Sequence, residues 1–359
     1  MNFLAGIFFC FGALDYFCGN RFGIGESFLE GLKSITDLLL LMTGFMILAP
    51  WIGSMLAPSI GPVFQAVGCD PSLIAGMIMS CDSGAAVLAD SIALTSDAAQ
   101  FNGMIVGAFL GITFVFTIPF ALSNSNGSRQ SAAVKGLLIG ILVLPGGCLL
   151  TGCIARLPMS IILHNLWPVA LFSIFLLILF LCFQSHIVGI FKAFSNLIRG
   201  ISLLGFCAGV LNEIAGFHLL SGLTPFHEVF PVITEIGVFL AGILSFMTLF
   251  QCILQRPLSA IAKLLSIQTD TLVSMLLALA NPIPVFLSFE KLDTRGCFLV
   301  TAFLTPACFA VGDHLAFAMQ YSYRIAADAR ENSNRPVRLL AGVLFVSIFP
   351  AFRFLICDK

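Results

Sequence analysis

The sequence predicts an all-α polytopic membrane protein with about ten transmembrane helices, two interrupted or re-entrant segments and an inverted repeat. Three observations predict it. The 359 residues are 59% hydrophobic and 10% charged, where a soluble globular domain carries about 25% charged residues. Apolar runs of the length that crosses a bilayer recur from end to end, and no polar block is long enough to fold separately. Two of the runs are broken at their middle by groups that lipid does not solvate, one around Asp82 and one around Asn281. A single membrane domain over residues 1–359 follows. The net charge of −1 and the scattered basic residues exclude an electrostatic footprint for nucleic acid.

In chain order, residues 2–18 follow no basic segment and precede no small-residue cleavage site, so they read as a retained span that ends with Asp15. A polar link with Arg21, Glu26, Glu30 and Lys33 leads to a span over residues 35–56, broken by Pro50. Residues 58–68, opened by Pro58, read as a separate segment too short to cross. Residues 73–94 carry Ser80-Cys81-Asp82-Ser83-Gly84 at their middle and Asp90 near their end. Residues 102–122 are a cleaner span, and a Ser/Asn/Gly turn bearing Arg129 leads to residues 132–155. Residues 166–183 hold no charge and are expected to face lipid. Residues 184–196 are polar enough for the interface, and residues 198–220 contain Glu213 and His218. Residues 229–254 bury Glu235 early, and a second short segment opens at Pro257. The runs 271–289, 296–319 and 339–356 complete the chain, the last after a link with four arginines. The twelve cysteines lie mostly in apolar runs without a CxxC pair, so they read as small buried hydrophobes, with no disulfide framework and no metal site expected.

Two regions share an order of features. A long span leads to a short proline-bounded segment, then to a polar-broken run, then to another span, over about residues 35–155 and again over about 229–356. Pro58 and Pro257 are 199 positions apart, as are Asp82 and Asn281. Corresponding interrupted segments in two halves point to a transporter's binding site. No basic residue occurs between Lys33 and Arg129 or between Arg199 and Arg256. If the run around Asp82 is a hairpin that returns to its starting side, the basic links before residue 270 gather on one face, as orientation rules require. The two halves then enter the membrane in opposite directions. Around Asn281 the same rule gives no clean answer.

The interrupted runs also hold the candidate chemistry. Between Lys33 and Arg129 stand five acids, Asp37, Asp70, Asp82, Asp90 and Asp97, and no base, which suits a cationic ligand. The expected substrate contacts are Asp82 and Ser83, Asn281 from the second copy, and Glu235. Asp82 would hold an ammonium by charge-assisted hydrogen bonds while the Asn281 amide reads a neutral polar end. Asp313-His314, a carboxylate beside an imidazole inside an apolar run, is the candidate gate or proton relay. Asp293 and Arg295 read as a connector ion pair. No nucleophile elbow or zincin motif is present, which sets aside an intramembrane hydrolase and leaves a non-enzymatic carrier that needs no cofactor. An ion-coupled transporter of another small polar solute, with Asp82 as the coupling site, is the alternative.

At these motifs the chain resembles the ethanolamine utilisation membrane protein family, the EutH-type permeases. The resemblance is carried by Leu279-Ala280-Asn281 with Ile283-Pro284, Asp293-Thr294-Arg295-Gly296, Gly312-Asp313-His314-Leu315, Cys81-Asp82 with Gly84, Leu48-Ala49-Pro50, Pro71-Ser72 with Ala75-Gly76, Ile118-Pro119 and Gly147-Cys148. These pieces fall in order over nearly the whole chain. Pro282 stands where the pattern has a second Asn, and Asp90-Ser91 where it has a Lys-Glu pair. The resemblance implies a multi-pass protein of the bacterial inner membrane that takes up ethanolamine, with the substrate and lipid as partners and a homo-oligomer left open.

Overall fold

Runs this apolar, in a medium without water, must satisfy their backbone groups internally, and helices do so within one segment. The computed structural model describes residues 2–182, 184–217, 220–280, 282, 285–286, 289–318 and 321. Among the described residues every regular element is helical. Helix α1 (Asn2–Phe17) and α2 (Ile24–Leu38) form an antiparallel pair, and a wide π turn (Leu39–Thr43) carries the chain into α3 (Gly44–Ala66). Then come the short α4 (Leu73–Ile78) and α5 (Ala86–Ile92), separated by an unwound stretch. A path follows from α6 (Ser96–Ala99) through π-helical turns (Gln100–Gly111, Thr113–Thr117) to α7 (Ile118–Ser123). The long helices α8 (Gly127–Ile154), α9 (Met159–Cys182), α10 (Gln184–Ile214) and α11 (Phe226–Leu264) precede α12 (Thr269–Ala280) and α13 (Thr294–Ala307).

Six helical stretches among the described residues are long and apolar enough to cross a membrane: Gly44–Ala66, Ser96–Leu122, Gly127–Ile154, Met159–Leu179, Asn196–Ile214 and Phe226–Phe250. The bent pair Pro257–Leu264 and Thr269–Ala280, turned through 116°, would make a seventh. The expected ten is not confirmed among the described residues, and the final apolar run, 339–356, lies outside them. Another expectation is corrected at the prolines. Pro58 and Pro257 do not open separate segments but sit inside α3 and α11, which run on through them. Neighbouring helices can re-satisfy the carbonyl that a membrane proline frees, so proline does not end a helix there as reliably as in water.

Residues 70–94 double back on themselves. The Asp70 carboxylate accepts hydrogen bonds from Ser72 N (2.9 Å) and Ser72 Oγ (2.6 Å) on its own side and from Leu94 N (3.0 Å) at the far end. A straight helix of that length would hold its ends about 36 Å apart at about 1.5 Å per residue. Residues 268–293 repeat the manoeuvre, with Asp293 N donating to Gln268 Oε1 (3.3 Å). Arg295 does not pair with Asp293 as expected; it donates to Ser266 O (3.2 Å), and Asp293 caps α13 by accepting from Gly296 N (2.6 Å). Thr95 caps α6 in the same way, accepting from Ala98 N (3.2 Å).

The two closures lie at opposite ends of α8. At the first, Asp70 N donates to Asn165 Oδ1 (2.9 Å) in the opening turns of α9, which follow the C-terminal end of α8. At the second, Arg129 Nε in the first turn of α8 donates to Leu292 O (2.9 Å). Helix α13 runs parallel to α8, since a Cβ added at Gly136 would strike Phe298 O and Ala302 N and one at Gly140 would strike Thr305.

Small residues set these packings, as they do where helices associate without water to expel. Gly103, Gly107 and Gly111 form one stripe on the path from Ser96, facing Ala86 and Ala89, Cys81, and Met79 in turn. A Cβ at Gly111 would lie 1.8 Å from Met79 O, and one at Gly312 would lie 1.9 Å from Ala280 O. The featureless run behaves as expected: Leu171, Ile174, Phe175, Ile178 and Leu181 of α9 are all exposed, a face for lipid.

Candidate functional site

The sequence Ser80-Cys81-Asp82-Ser83-Gly84 unwinds at the tip of the first hairpin. Met79 and Ser80 are extended, Ser83 leaves the helical region, and Gly84 takes φ 115°, a conformation that side chains resist. A Cβ there would also meet Phe45 Cβ at 2.6 Å. The break leaves Asp82 buried at 7% exposure, in a gap between two short helices. Its Oδ1 accepts from Ser80 Oγ, in a short contact, and from Ser83 Oγ (3.3 Å). Its Oδ2 accepts no hydrogen bond among the described residues.

His314 arrives from the turn that follows α13. The turn after α13 is stitched to the end of α12 by Phe309 N→Ala278 O (3.2 Å), Val311 N→Leu279 O (2.7 Å) and Gly312 N→Leu279 O (3.2 Å). That turn launches Asp313 and His314 toward the first tip. His314, at 4% exposure, sets Nε2 3.2 Å from Ser80 Oγ and 3.9 Å from Asp82 Oδ1, and its buried Nδ1 has no hydrogen-bond partner among the described residues. Ser80 therefore bridges carboxylate and imidazole. With the single Ser80 proton directed at Asp82, the Ser80 lone pair accepts from Nε2–H, so a neutral His314 carries its proton on Nε2.

The structure brings together Asp82, Ser83 and His314 of the expected residues. Asp313 is half-buried beside His314, within electrostatic reach of Cys81 and Cys308. Asn281 lies outside the described residues, directly after Ala280, whose carbonyl packs on Gly312. Glu235 is corrected: it is exposed on α11, not buried. Its neighbours Val232, Ile233 and Ile236 are buried, and the 100° step of a helix turns residue 235 away from them. Ser80 is the contact that reasoning from residue types passed over, although it begins the small polar string that marks the tip.

Cys81, Asp82 and His314 each place one ligand-type atom within 4.8 Å of the others, a spacing a soft divalent ion could use. The fit is poor. Nε2, the nitrogen 3.9 Å from Asp82, already faces the Ser80 hydroxyl at 3.2 Å, so these residues are not assigned as metal ligands. Beside the cluster, the Tyr321 hydroxyl, with a single proton to donate, lies against both Ala86 O (3.2 Å) and the Asp90 carboxylate, fastening the second arm of the hairpin.

The model of the family described as ethanolamine utilisation protein, EutH, matches residues 1–328. The chain belongs to that family. Among EutH-family relatives, it is 34% identical over 318 residues to the probable ethanolamine permease EutH of Listeria monocytogenes serotype 1/2a (strain 10403S), covering 88% of this chain and 84% of that one. It is 31% identical to the probable ethanolamine permease EutH of Salmonella typhimurium, covering 82% and 78%. It is 30% identical to the uncharacterized protein YxeR of Bacillus subtilis (strain 168), covering 90% and 88%. No solved structure matches the chain. EutH-family membership and the recurrent apolar helices make this a multi-pass protein of the bacterial inner membrane.

Proposed function

We propose that this protein carries ethanolamine, as the ethanolammonium cation, across the inner membrane, as a facilitator or secondary transporter and not as an enzyme. The observation that carries the reading is the Asp82 carboxylate, buried at a broken hairpin tip with Oδ2 unengaged among the described residues. A charged group at such a place marks a substrate or ion path by default. An alkyl ammonium like that of lysine has a pKa of about 10.4, so the substrate is almost wholly cationic near neutrality and crosses lipid poorly. Oδ2 offers it a charge-assisted hydrogen bond. Ser83 offers its hydroxyl to the hydroxyl end of the substrate, Asn281 is assigned to that same end from its place in the sequence repeat, and Asp313 with His314 forms the proton relay. Glu235 is left out of this set because of its exposure. The names of the Listeria and Salmonella relatives support ethanolamine as the solute.

The same reading treats the hairpins as an inverted repeat that meets at mid-membrane. It is supported by their closure at opposite ends of α8, by the matched caps Thr95 and Asp293, and by the glycine-on-carbonyl contacts Gly111–Met79 and Gly312–Ala280. The deciding experiment is uptake of labelled ethanolamine into proteoliposomes, with choline, serine and uridine as competitors. Saturable uptake that serine and uridine leave untouched is expected. No uptake above protein-free vesicles would remove the proposal.

A further inference from the structure

We propose that the site exchanges one ammonium for one proton, with His314 holding the proton when the substrate is absent. The inference rests on the reading of Asp82 as the ammonium contact. A buried carboxylate stripped of its cation is strongly unfavourable inside a membrane, so a carrier that has released its cargo needs another positive charge before it can return. His314 is the basic side chain with a nitrogen within 4.0 Å of Asp82 among the described residues, and it is linked to it through Ser80. The other titratable groups near the pair are Cys81, Cys308 and Asp313, none of which can supply a positive charge.

The atoms for the exchange are in place. With Nε2–H directed at Ser80 Oγ, Nδ1, which has no hydrogen-bond partner among the described residues, carries the free lone pair. A proton from water adds to Nδ1 as ethanolammonium leaves, which turns neutral imidazole beside a carboxylate into an ion pair. When the next ethanolammonium reaches Oδ2, it replaces the imidazolium as the counter-charge, and Nδ1 returns its proton to water. The site holds one negative and one positive charge both loaded and empty, and a full cycle moves no net charge.

Two measurements on the full-length protein in proteoliposomes test this at about pH 6, where free histidine is largely protonated. Net uptake by the wild type into empty vesicles is compared with and without a potassium diffusion potential, after subtraction of protein-free vesicles. The expected result is no acceleration by an inside-negative potential; an acceleration overturns the exchange. The second measurement compares net uptake with counterflow, in which labelled substrate enters vesicles preloaded with unlabelled substrate and the empty carrier never returns. In His314→Gln, net uptake should fall roughly ten-fold or more while counterflow stays within about two-fold, because only the empty site lacks its compensating charge. Retained net uptake overturns the proposal, and so does loss of both activities, which would make His314 a ligand contact or a folding element. Absence of counterflow in the wild type removes the ethanolamine reading itself, and the exchange with it.

Discussion

Asp82→Asn removes one charge and almost nothing else, so its consequence can be worked through. The native Oδ1 takes the Ser80 and Ser83 hydroxyls, and Oδ2, which accepts no hydrogen bond among the described residues, is the proposed ammonium contact. In the variant the amide has one acceptor. If the oxygen stays on the serines, an NH2 group faces the ammonium, donor against donor. If the amide flips, the ligand regains an uncharged acceptor but Ser80 and Ser83 lose theirs. Either way the charge-assisted bond is gone, which costs about 1.5 to 3 kcal/mol, or roughly ten- to a hundred-fold in affinity. The assay is the half-saturation concentration of ethanolamine counterflow, with the elution profile of the purified protein as the control for folding. A rise in that range is expected. An unchanged half-saturation in a well-folded variant would refute the assignment of Asp82 as the ammonium contact.

Three further outcomes are expected. Asp70→Ala leaves Ser72 N and Leu94 N without their acceptor at the base of the first hairpin; at about 1 to 3 kcal/mol for each donor left unpaired, the thermal midpoint in detergent should drop clearly, and a midpoint equal to wild type would contradict the closure. In a cysteine-free background, single cysteines at Asp70 and Asp97 should label from the same side of the membrane and a cysteine at Arg295 from the other; labelling of all three from one side would remove the inverted repeat. Glu235→Gln should transport with half-saturation within about two-fold of wild type, as surface substitutions away from special features usually do, and a ten-fold loss would return Glu235 to the site.

The hairpin around Asp82 was legible because small polar residues and glycine cannot be explained inside an apolar run in any other cheap way, and because the 199-residue register repeats it at Asn281. The helix caps at Thr95 and Asp293 are 198 positions apart, one short of that spacing. What composition could not yield was facing. Glu235 lies in a helix that is apolar at most positions, so no periodic pattern announced that its own direction was outward. The partnership of Ser80 with His314 spans 234 residues, and nothing local specifies it. The prolines misled because a rule learned from helices in water was applied to helices in lipid. The stripe Gly103, Gly107, Gly111 was on view in the sequence and carried a packing signal at four-residue spacing that could have marked the partner of the hairpin.

That stripe also restricts how the site can be reached. Both arms of the first hairpin lie on the Ser96–Leu122 path with no room for a methyl group: Gly76 against Asn102 O, Gly103 against Ala86, Gly107 against Cys81, Gly111 against Met79 O. Surfaces keyed at three levels, residues 102–103, 107 and 111, cannot slide past or peel from each other without breaking every contact together, since close-packed interiors shift between discrete arrangements and do not deform smoothly. A flap that swings open on its own is therefore the wrong picture for this tip. On the proposed reading of Asp82 as the ammonium contact, whatever turns it from one compartment to the other has to carry the hairpin and its span as a single cassette, with the sliding seam somewhere else in the protein.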